Sequence, residues 1–263
     1  MLTIKEIRQV SSIEEAYELN QKKTNRIIGG MLWLKMQQGN VNTAIDLSNL
    51  NLNTIEESTT EFKIGAMTTL RDLELHTGLN NYTNNSIKEA MRHIVGVQFR
   101  NLATIGGSIF GRYGFSDVLT IFMALDAYVE LHHAGIIPIS EFAKMPYDND
   151  VLVNIIVKKT PLKCVYLSHR QTKTDFPILA VAVNKHHDQY QAVIGATPHR
   201  AVIISDKNNI LSSIVNTDSI EHFANYVKDT VITDSNSRAS TSYRKHLTYV
   251  LVKRALLSME EKN

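Results

Sequence analysis

Two pairs of adjacent glycines are the residues of this chain whose type and spacing best suit a chemical role. Gly29-Gly30 follows the strand-like run at 26–28, and Gly106-Gly107 stands within the segment RNLATIGGSI at 100–109. Without Cβ atoms, successive N–H groups can converge on the oxygens of a bulky anionic ligand. Two tight turns in a β-rich protein are the alternative, and for a single glycine pair that alternative is the better one.

The side chains beside the second pair favour a ligand site. Ser108, a short hydroxyl residue, follows the glycines directly, and Asp117 lies a few residues further on. A carboxylate beside a pyrophosphate would repel it, so Asp117 suits the hydroxyls of a sugar better than the phosphates. Asp117 could equally cap a helix that begins at Val118. Taken together, these residues predict a nucleotide site.

Both glycine segments also carry a likeness to a known family. Its first motif, Ala-Gly-Gly-Thr-Asp-Leu, stands here as IGGMLW at 28–33, and its second, Arg-Asn-x-Ala-Thr-Ile-Gly-Gly-Asn-Ile, is kept at 100–109 with Ser108 for the asparagine. The pieces DVL, ALDA, DFP, GATPHRA and YR follow in the family's order at 117–119, 124–127, 175–177, 195–201 and 243–244. As far as about Leu256, the chain therefore resembles the FAD-binding subunit of molybdenum hydroxylases, the xanthine dehydrogenase and carbon monoxide dehydrogenase medium-chain family.

The resemblance implies an extended FAD between two N-terminal subdomains. Gly29-Gly30 would wrap the pyrophosphate with backbone N–H groups, and Gly106-Gly107 would admit the cofactor from the other side. Ser108 would donate a hydrogen bond, Thr104 would reach the phosphates or the ribityl chain, and Asp117 would accept from sugar or ribityl hydroxyls. Ile94 would pack near the flavin ring. From sequence alone, Thr104 could also be an ordinary strand residue, and Ile94 a plain core residue. The implied site consists of Ile27, Ile28, Gly29, Gly30, Met31, Leu32, Ile94, Thr104, Gly106, Gly107, Ser108 and Asp117.

Three positions depart from the family pattern. Met31-Leu32 stands where a Thr-Asp or Thr-Glu pair is usual, a bulky segment at 110–115 replaces small residues near the expected flavin, and Leu167 replaces a lysine. Backbone contacts to phosphate do not use these side chains, so the pattern predicts a FAD site of altered affinity. A flavin-free assembly subunit of the same complex is the alternative. A stand-alone reductase of the UDP-N-acetylenolpyruvylglucosamine reductase fold is a poorer third interpretation, because its serine or cysteine proton donor has no counterpart that we can place.

The single cysteine limits the redox groups that this chain can hold. Cys164 by itself excludes an internal disulfide and an iron–sulfur cluster, which normally needs four thiolates. The resemblance therefore implies a molybdopterin-binding large subunit and a [2Fe–2S] small subunit as partners. FAD would pass their electrons to NAD⁺, oxygen or another acceptor, and no residue here would act as acid, base or nucleophile. Cys164 itself is most simply a buried strand residue.

The remaining candidate residues give weaker evidence for a functional site. His132-His133 and His186-His187 look like metal ligands, but neighbouring residues of a strand point to opposite faces, which disfavours a zinc site. Arg112 and Arg170 could contact a phosphate or a partner, although a surface position is the simpler interpretation. The basic run at 244–246, RKH, is most simply one turn of a solvated helix face.

Alternating strands and helices must position these residues. Ser11-Ser12 followed by Glu15 predicts a helix start, and residues 25–28 predict a strand that leads into the first glycine pair. A helix at 31–38 and a strand at 43–47 complete a β–α–β pattern, but no G-x-G-x-x-G supports a Rossmann fold. Further strands are predicted at 61–65 (exposed), 128–132, 164–168 and 191–195, and further helices from 69 and at 86–95, 118–127, 176–184 and 240–259.

These elements predict an α+β protein. The resemblance implies a PCMH-type FAD-binding domain at 1–160, made of two α/β subdomains at about 1–54 and 55–160. A smaller α+β domain at 161–263, similar to the C-terminal domain of the carbon monoxide dehydrogenase flavoprotein, would follow a boundary near Lys158–Pro161.

Composition narrows the function further. The 263 residues include 28 basic and 26 acidic ones, and this near balance gives little reason to expect nucleic-acid binding. The charged N-terminus does not suit a signal peptide, and no apolar run reaches the length of a membrane span. We therefore expect a cytoplasmic protein that contacts neither nucleic acid nor membrane.

Overall fold

Three β-sheets organise residues 1–186, 188–211 and 215–261, which the computed structural model describes. The first sheet holds three parallel strands, β1 (Leu2–Gln9), β2 (Arg26–Ile28) and β3 (Gly39–Asp46), in the order β1-β3-β2. Helix α1 (Ile13–Asn20) connects β1 with β2. Its cap follows the predicted pattern, since Glu15 N donates to Ser12 Oγ at 3.1 Å.

The second sheet is antiparallel and has five strands in the order β4-β5-β8-β6-β7. Its strands are β4 (Ile55–Glu57), β5 (Glu61–Gly65), β6 (Ala127–Leu131), β7 (Gly135–Pro138) and β8 (Leu152–Lys158). Six short helices separate β5 from β6, and one follows β7. They are α2 (Leu70–Leu75), α3 (Thr77–Tyr82), α4 (Ser86–Met91), α5 (Val97–Arg100), α6 (Ile105–Phe110), α7 (Asp117–Phe122) and α8 (Ile139–Phe142).

The third sheet is a four-stranded antiparallel meander in the order β12-β11-β10-β9. It consists of β9 (Leu162–Arg170), β10 (Pro177–His186), β11 (Gln189–Gly195) and β12 (Val202–Ser205), and is followed by α9 (Thr217–Thr230) and α10 (Thr241–Glu260). The second sheet ends at Lys158 and the third begins at Leu162, so the boundary expected near residue 160 falls between two sheets. The division into domains stays a prediction. No helix in the described part of the chain has the length and apolar character that crossing a bilayer requires.

Both faces of the third sheet are buried. Along β10, Ala180 and Ala182 belong to the core shared with the second sheet, while Leu179 and Val181 belong to the core beneath α9 and α10. This explains why the predicted helix at 176–184 is wrong. A strand buried on both faces is a continuous apolar run, and its periodicity does not differ from that of a buried helix. The strands at 164–168 and 191–195 are confirmed, and Cys164 is buried in β9 as expected.

The predicted helix at 31–38 is also wrong. Only a 3-10 turn forms there, at Leu34–Met36, because Met31 has a left-handed backbone with φ of 57° and cannot begin a right-handed helix. Two further helices are shorter than predicted. Helix α4 ends at Met91, and α7 ends at Phe122 before β6 begins at Ala127. Strand β5 is confirmed, but it is an interior strand whose Phe62 is fully buried rather than exposed.

Arg244 corrects the prediction of a solvated basic turn. The residue is 1 % exposed, near the start of α10, and no carboxylate accepts from its guanidinium among the described residues. Instead the guanidinium joins α10 to the ends of β10 and β11 and to the preceding loop. It donates to Ile178 O (3.1 Å), Ala196 O (3.2 Å), Asp234 O (2.7 Å), Ala239 O (2.7 Å) and Asn236 Oδ1 (2.8 Å).

We expect Arg244→Lys to lower the free energy of unfolding by about 2–4 kcal/mol, measured by urea denaturation. A single ammonium cannot reach acceptors on several sides, so buried carbonyls would lose their donors. The control His246→Ala changes an exposed residue two positions further along α10, and its free energy of unfolding should stay within about 0.5 kcal/mol of that of the parent chain. Equal stabilities of the two variants would contradict this account of Arg244.

Candidate functional site

A cleft of about 900 Å³ lies where four separated stretches of the chain meet. Its walls come from residues 20–47, 66–118, 147–152 and 170–176. The last stretch belongs to the end of β9 and the loop that follows, so the third sheet contributes to a cleft built mainly by the first two. The volume lies in the upper part of the range for ligand pockets, roughly 300–1,000 Å³.

All of the site residues expected from the sequence line this one cleft. Strand β2 and its loop, the end of the α4 region, helix α6 and the start of α7 bring them together. They are Ile27, Ile28, Gly29, Gly30, Met31, Leu32, Ile94, Thr104, Gly106, Gly107, Ser108 and Asp117. Their contacts with a ligand stay predictions, whereas their convergence is a property of the fold.

The first glycine pair is required by the contact of two protein segments. A Cβ on Gly30 would lie 1.8 Å from Leu102 O, and a Cβ on Gly29 would lie 2.7 Å from Thr104 Oγ1. The missing Cβ atoms of this pair make room for a protein segment, and the convergence of its N–H groups on phosphate stays a prediction. The room is taken by the segment before α6, which packs directly on the loop after β2.

The second glycine pair lies in a helix rather than in a turn. Thr104 is the N-cap of α6, not a strand residue, and its Oγ1 accepts from Gly107 N at 3.2 Å. Gly106 N donates to Ala66 O at 2.8 Å, so these N–H groups already have acceptors. The hydroxyl of Ser108 donates to Thr104 O at 2.9 Å and retains its capacity to accept. A Cβ on Gly107 would approach only Thr104 Oγ1, at 3.2 Å.

The loop after β2 offers the free donors instead. Among the described residues, the backbone N–H groups of positions 29–32 have no protein acceptor. All four positions line the cleft, and Met31 has positive φ. Successive N–H groups without protein acceptors can bind the oxygens of a pyrophosphate. The residues present therefore fit the phosphates of a dinucleotide cofactor at this loop, whatever side chains Met31 and Leu32 carry.

An aromatic cluster lines another part of the cleft. Trp33, the only tryptophan of the chain, lies 5.6 Å from the ring of Phe115 and 5.7 Å from that of Phe176, measured between centroids. Its other neighbours are Phe99 at 6.3 Å and Tyr113 at 6.2 Å, and Tyr113 stacks on Phe115 at 5.2 Å. Such ring faces suit a planar heterocycle. The sequence argument did not select Trp33, Phe99 or Phe176, although Trp33 directly follows the first motif.

A buried ion pair forms the polar wall. Arg170 Nη2 lies 2.5 Å from Asp117 Oδ1, both side chains are 6 % exposed, and the Tyr166 hydroxyl donates to the same oxygen. Burial raises the pKa of Asp117, and the adjacent Arg170 guanidinium opposes that shift. Asp117 does not cap α7, because Ser116 does so, with Leu119 N donating to its Oγ at 3.0 Å. The expected surface position of Arg170 is wrong, since the residue pairs with Asp117 from across the fold.

Arg112 is also buried, at 1 % exposure, rather than on the surface. Its guanidinium lies 3.8 Å from the centre of the Phe142 ring, and its Nε donates to Phe142 O at 3.0 Å. It does not belong to the cleft lining. A cation held by a ring face and carbonyls keeps the bulky segment at 110–115 in place.

The histidine pairs give no metal site among the described residues. The rings of His132 and His133 both pack on Tyr17, with centroid distances of 5.2 and 5.6 Å. His187 lies outside the described residues. In the described ranges no three histidine, cysteine, aspartate or glutamate side chains come together as a metal ion requires.

Comparison with known proteins identifies a family for most of this chain. The family of FAD-binding domains in molybdopterin dehydrogenases matches residues 4–160. The glyceraldehyde dehydrogenase medium chain of Sulfolobus acidocaldarius is 26% identical over 270 residues, covering 94% of this chain and 95% of that protein.

Solved structures share the fold. Quinoline 2-oxidoreductase from Pseudomonas putida 86 has a chain that superposes with a TM-score of 0.88 at 18% identity, covering 98% of this chain and 97% of that one. Carbon monoxide dehydrogenase from Hydrogenophaga pseudoflava gives a TM-score of 0.88 at 21% identity and 97% coverage of both chains. The predicted α+β, PCMH-type fold is thereby confirmed.

We expect Gly30→Ala to lower the free energy of unfolding by about 3 kcal/mol or more, because its Cβ would meet the backbone oxygen of Leu102 at 1.8 Å. Gly96→Ala is the matched control, since its Cβ meets only the flexible Gln98 Oε1 at 3.3 Å. Thermal and urea unfolding of both variants measure the difference. A Gly30→Ala chain as stable as the control would contradict the direct contact of the two segments.

Proposed function

The chain belongs to the family of FAD-binding domains in molybdopterin dehydrogenases, and on this premise we propose that it is the electron-transfer subunit of a molybdopterin-dependent hydroxylase or dehydrogenase. It accepts electrons from [2Fe–2S] clusters of a small partner subunit and passes them to NAD⁺ or another acceptor. A large partner subunit holds the molybdopterin and hydroxylates the substrate, as in xanthine dehydrogenase-like complexes. We place the complex in the cytoplasm and divide this chain near residue 160 into a FAD-binding and a C-terminal domain.

One observation carries this proposal. Residues that the sequence separates into several groups line a single cleft, and one wall of that cleft presents the unpaired N–H groups of positions 29–32. Main-chain donors that the fold leaves without protein acceptors in a cleft wall are available to the oxygens of a polyanionic ligand. The medium chain of the Sulfolobus dehydrogenase, similar along nearly its whole length, supports a role as one subunit of a larger enzyme.

Each part of the cleft then has its own task. The N–H groups of positions 29–32 hold the pyrophosphate, and the Ser108 hydroxyl, which donates to Thr104 O, accepts from a hydroxyl group of the cofactor. The aromatic cluster provides an apolar surface for a planar ring and excludes water from it. FAD supplies the electron-transfer chemistry when bound, and the chain positions it.

A flavin-free assembly subunit is the second candidate. The rings of the aromatic cluster already pack against one another, with Phe115 and Phe176 only 4.6 Å apart between centroids, in a segment that is bulkier than the family pattern. Under this alternative the rings fill the space of the flavin, and the fold serves only to join partner subunits. Flavin retention separates the two candidates.

We expect the purified chain to retain FAD at close to one molecule per chain after incubation with excess FAD and desalting. The measurement is the visible absorption spectrum, with two flavin bands, combined with circular dichroism to confirm folding. A folded but colourless protein would favour the assembly subunit, provided that added partner subunits do not restore the bands.

We also expect Gly107→Leu to raise the Kd for FAD about tenfold or more without loss of stability. The Cβ of this variant meets only Thr104 Oγ1, and the remaining side chain enters the cleft. Quenching of Trp33 fluorescence measures binding, since the only tryptophan lines the cleft. Gly96→Leu, outside the lining, is the control. Wild-type affinity of Gly107→Leu would argue against FAD binding beside α6.

A further inference from the structure

Arg170 reaches the cleft from a part of the chain that the family match does not include. It is the last residue of β9, whereas the matched region ends at residue 160. Its Nη1 donates to Asp175 O at 2.6 Å, and its Nη2 contacts Asp117 Oδ1 at 2.5 Å. The guanidinium thus connects the loop after β9 with the start of α7, across the cleft wall.

The contact with Asp117 is end-on. A buried arginine and a carboxylate commonly form two parallel hydrogen bonds, which use both oxygens. Here Arg170 and Tyr166 both donate to Oδ1, and Oδ2 has no protein donor among the described residues. Arg170 Nε is buried without a partner as well. The protein therefore leaves one carboxylate oxygen of a cleft-lining residue unused.

We propose that Arg170 is a positioning residue of the cofactor cleft, which holds Asp117 so that Oδ2 accepts hydrogen bonds from hydroxyl groups of the bound cofactor. This inference rests on the proposed function. A hydroxyl-bearing sugar or ribityl chain is the ligand class that fits, because an anionic oxygen attracts hydroxyl donors and repels phosphates. The C-terminal part of the chain thereby completes a site that the FAD-binding part begins.

Burial explains why Asp117 needs an arginine. A desolvated carboxylate tends to take up a proton, and a neutral acid is a much poorer acceptor. The charged and titratable groups that face Asp117 are Arg170 and Tyr166 from β9 and, more distantly, His93 after α4. Of these, Arg170 makes the direct ionic contact. Its bond to Asp175 O also anchors the loop that carries Phe176 of the aromatic cluster.

Titration of FAD binding through Trp33 fluorescence tests the proposal. We expect Arg170→Met and Asp117→Asn each to raise the Kd about tenfold, and Arg170→Lys to fall between them and the wild type. Arg238→Met is the control. Arg238 pairs with Asp175 at 2.8 Å, so Arg238→Met removes a cation that contacts the same loop without touching Asp117. The Kd of this variant for FAD should stay near that of the wild type.

The pH profile separates positioning from loss of packing. Without Arg170, the largest influence that opposes the effect of burial is lost and the pKa of Asp117 rises, so the carboxylate is present above that pKa and lost as the pH falls through it. Affinity of Arg170→Met should therefore decrease as the pH falls, and at a higher pH than any such decrease of the wild type, while that of Asp117→Asn stays flat. A flat profile for Arg170→Met would overturn the positioning role.

A double variant tests whether the single variants lose affinity because they misfold. Removing one partner of a buried ion pair leaves an uncompensated charge, whereas Asp117→Asn with Arg170→Met leaves none. We expect this chain to fold and to bind FAD as weakly as Asp117→Asn alone, because both changes act on one oxygen. Additive losses, or an effect of Arg238→Met equal to that of Arg170→Met, would overturn the inference. A wild-type chain that does not bind FAD would overturn the proposed function and this inference together.

Discussion

The cleft depends on one close contact, the packing of the loop after β2 on the segment before α6. At Gly30 a Cβ would lie 1.8 Å from the carbonyl oxygen of Leu102, so the two backbones touch where any other residue would force them apart. This contact aligns the parallel sheet with the helices that precede β6. Both glycine motifs lie at this interface. The first contributes Gly29 and Gly30, and the second contributes Leu102 and Thr104.

The contact determines which backbone groups remain available. Helix α6 starts at Thr104, and its first N–H groups are satisfied by Thr104 Oγ1 and by the carbonyls of Ala66 and Thr68. In the part of the chain that the structure describes, the N–H groups of the loop after β2 have no such partners, and residues 29–32 line the cleft. Loss of the usual hydroxyl and carboxylate at Met31-Leu32 therefore leaves in place the main-chain donors that we propose for phosphate. The substitutions act on the cleft surface and not on its main-chain donors.

The third sheet is held beside this cleft by its two buried faces. Alternate residues of β10 enter two different cores, and the Ser86 hydroxyl donates to Cys164 O at 2.8 Å between α4 and β9. Because β9 is held from both sides, its last residue Arg170 has a defined position against Asp117. Arg244 closes the opposite end by joining α10 to β10 and β11. Arg170 and Arg244, like Arg112, were expected on the surface from the sequence and are instead interior connections.

The sequence by itself determined the family, the α+β class, most strands and twelve of the residues that line the cleft. These features can be predicted because they are local: the residues that define a Ser-x-x-Glu helix start or a glycine pair lie within a few positions of one another. Tertiary structure alone decided that the apolar run of β10 is a strand, since a strand covered on both faces has no alternation. It alone decided that Arg170 is buried, because the partner Asp117 lies far upstream in the chain. Likewise, Gly29, Gly30 and Gly106 are each required by a neighbouring protein segment, and such a contact between distant segments has no signature in either segment.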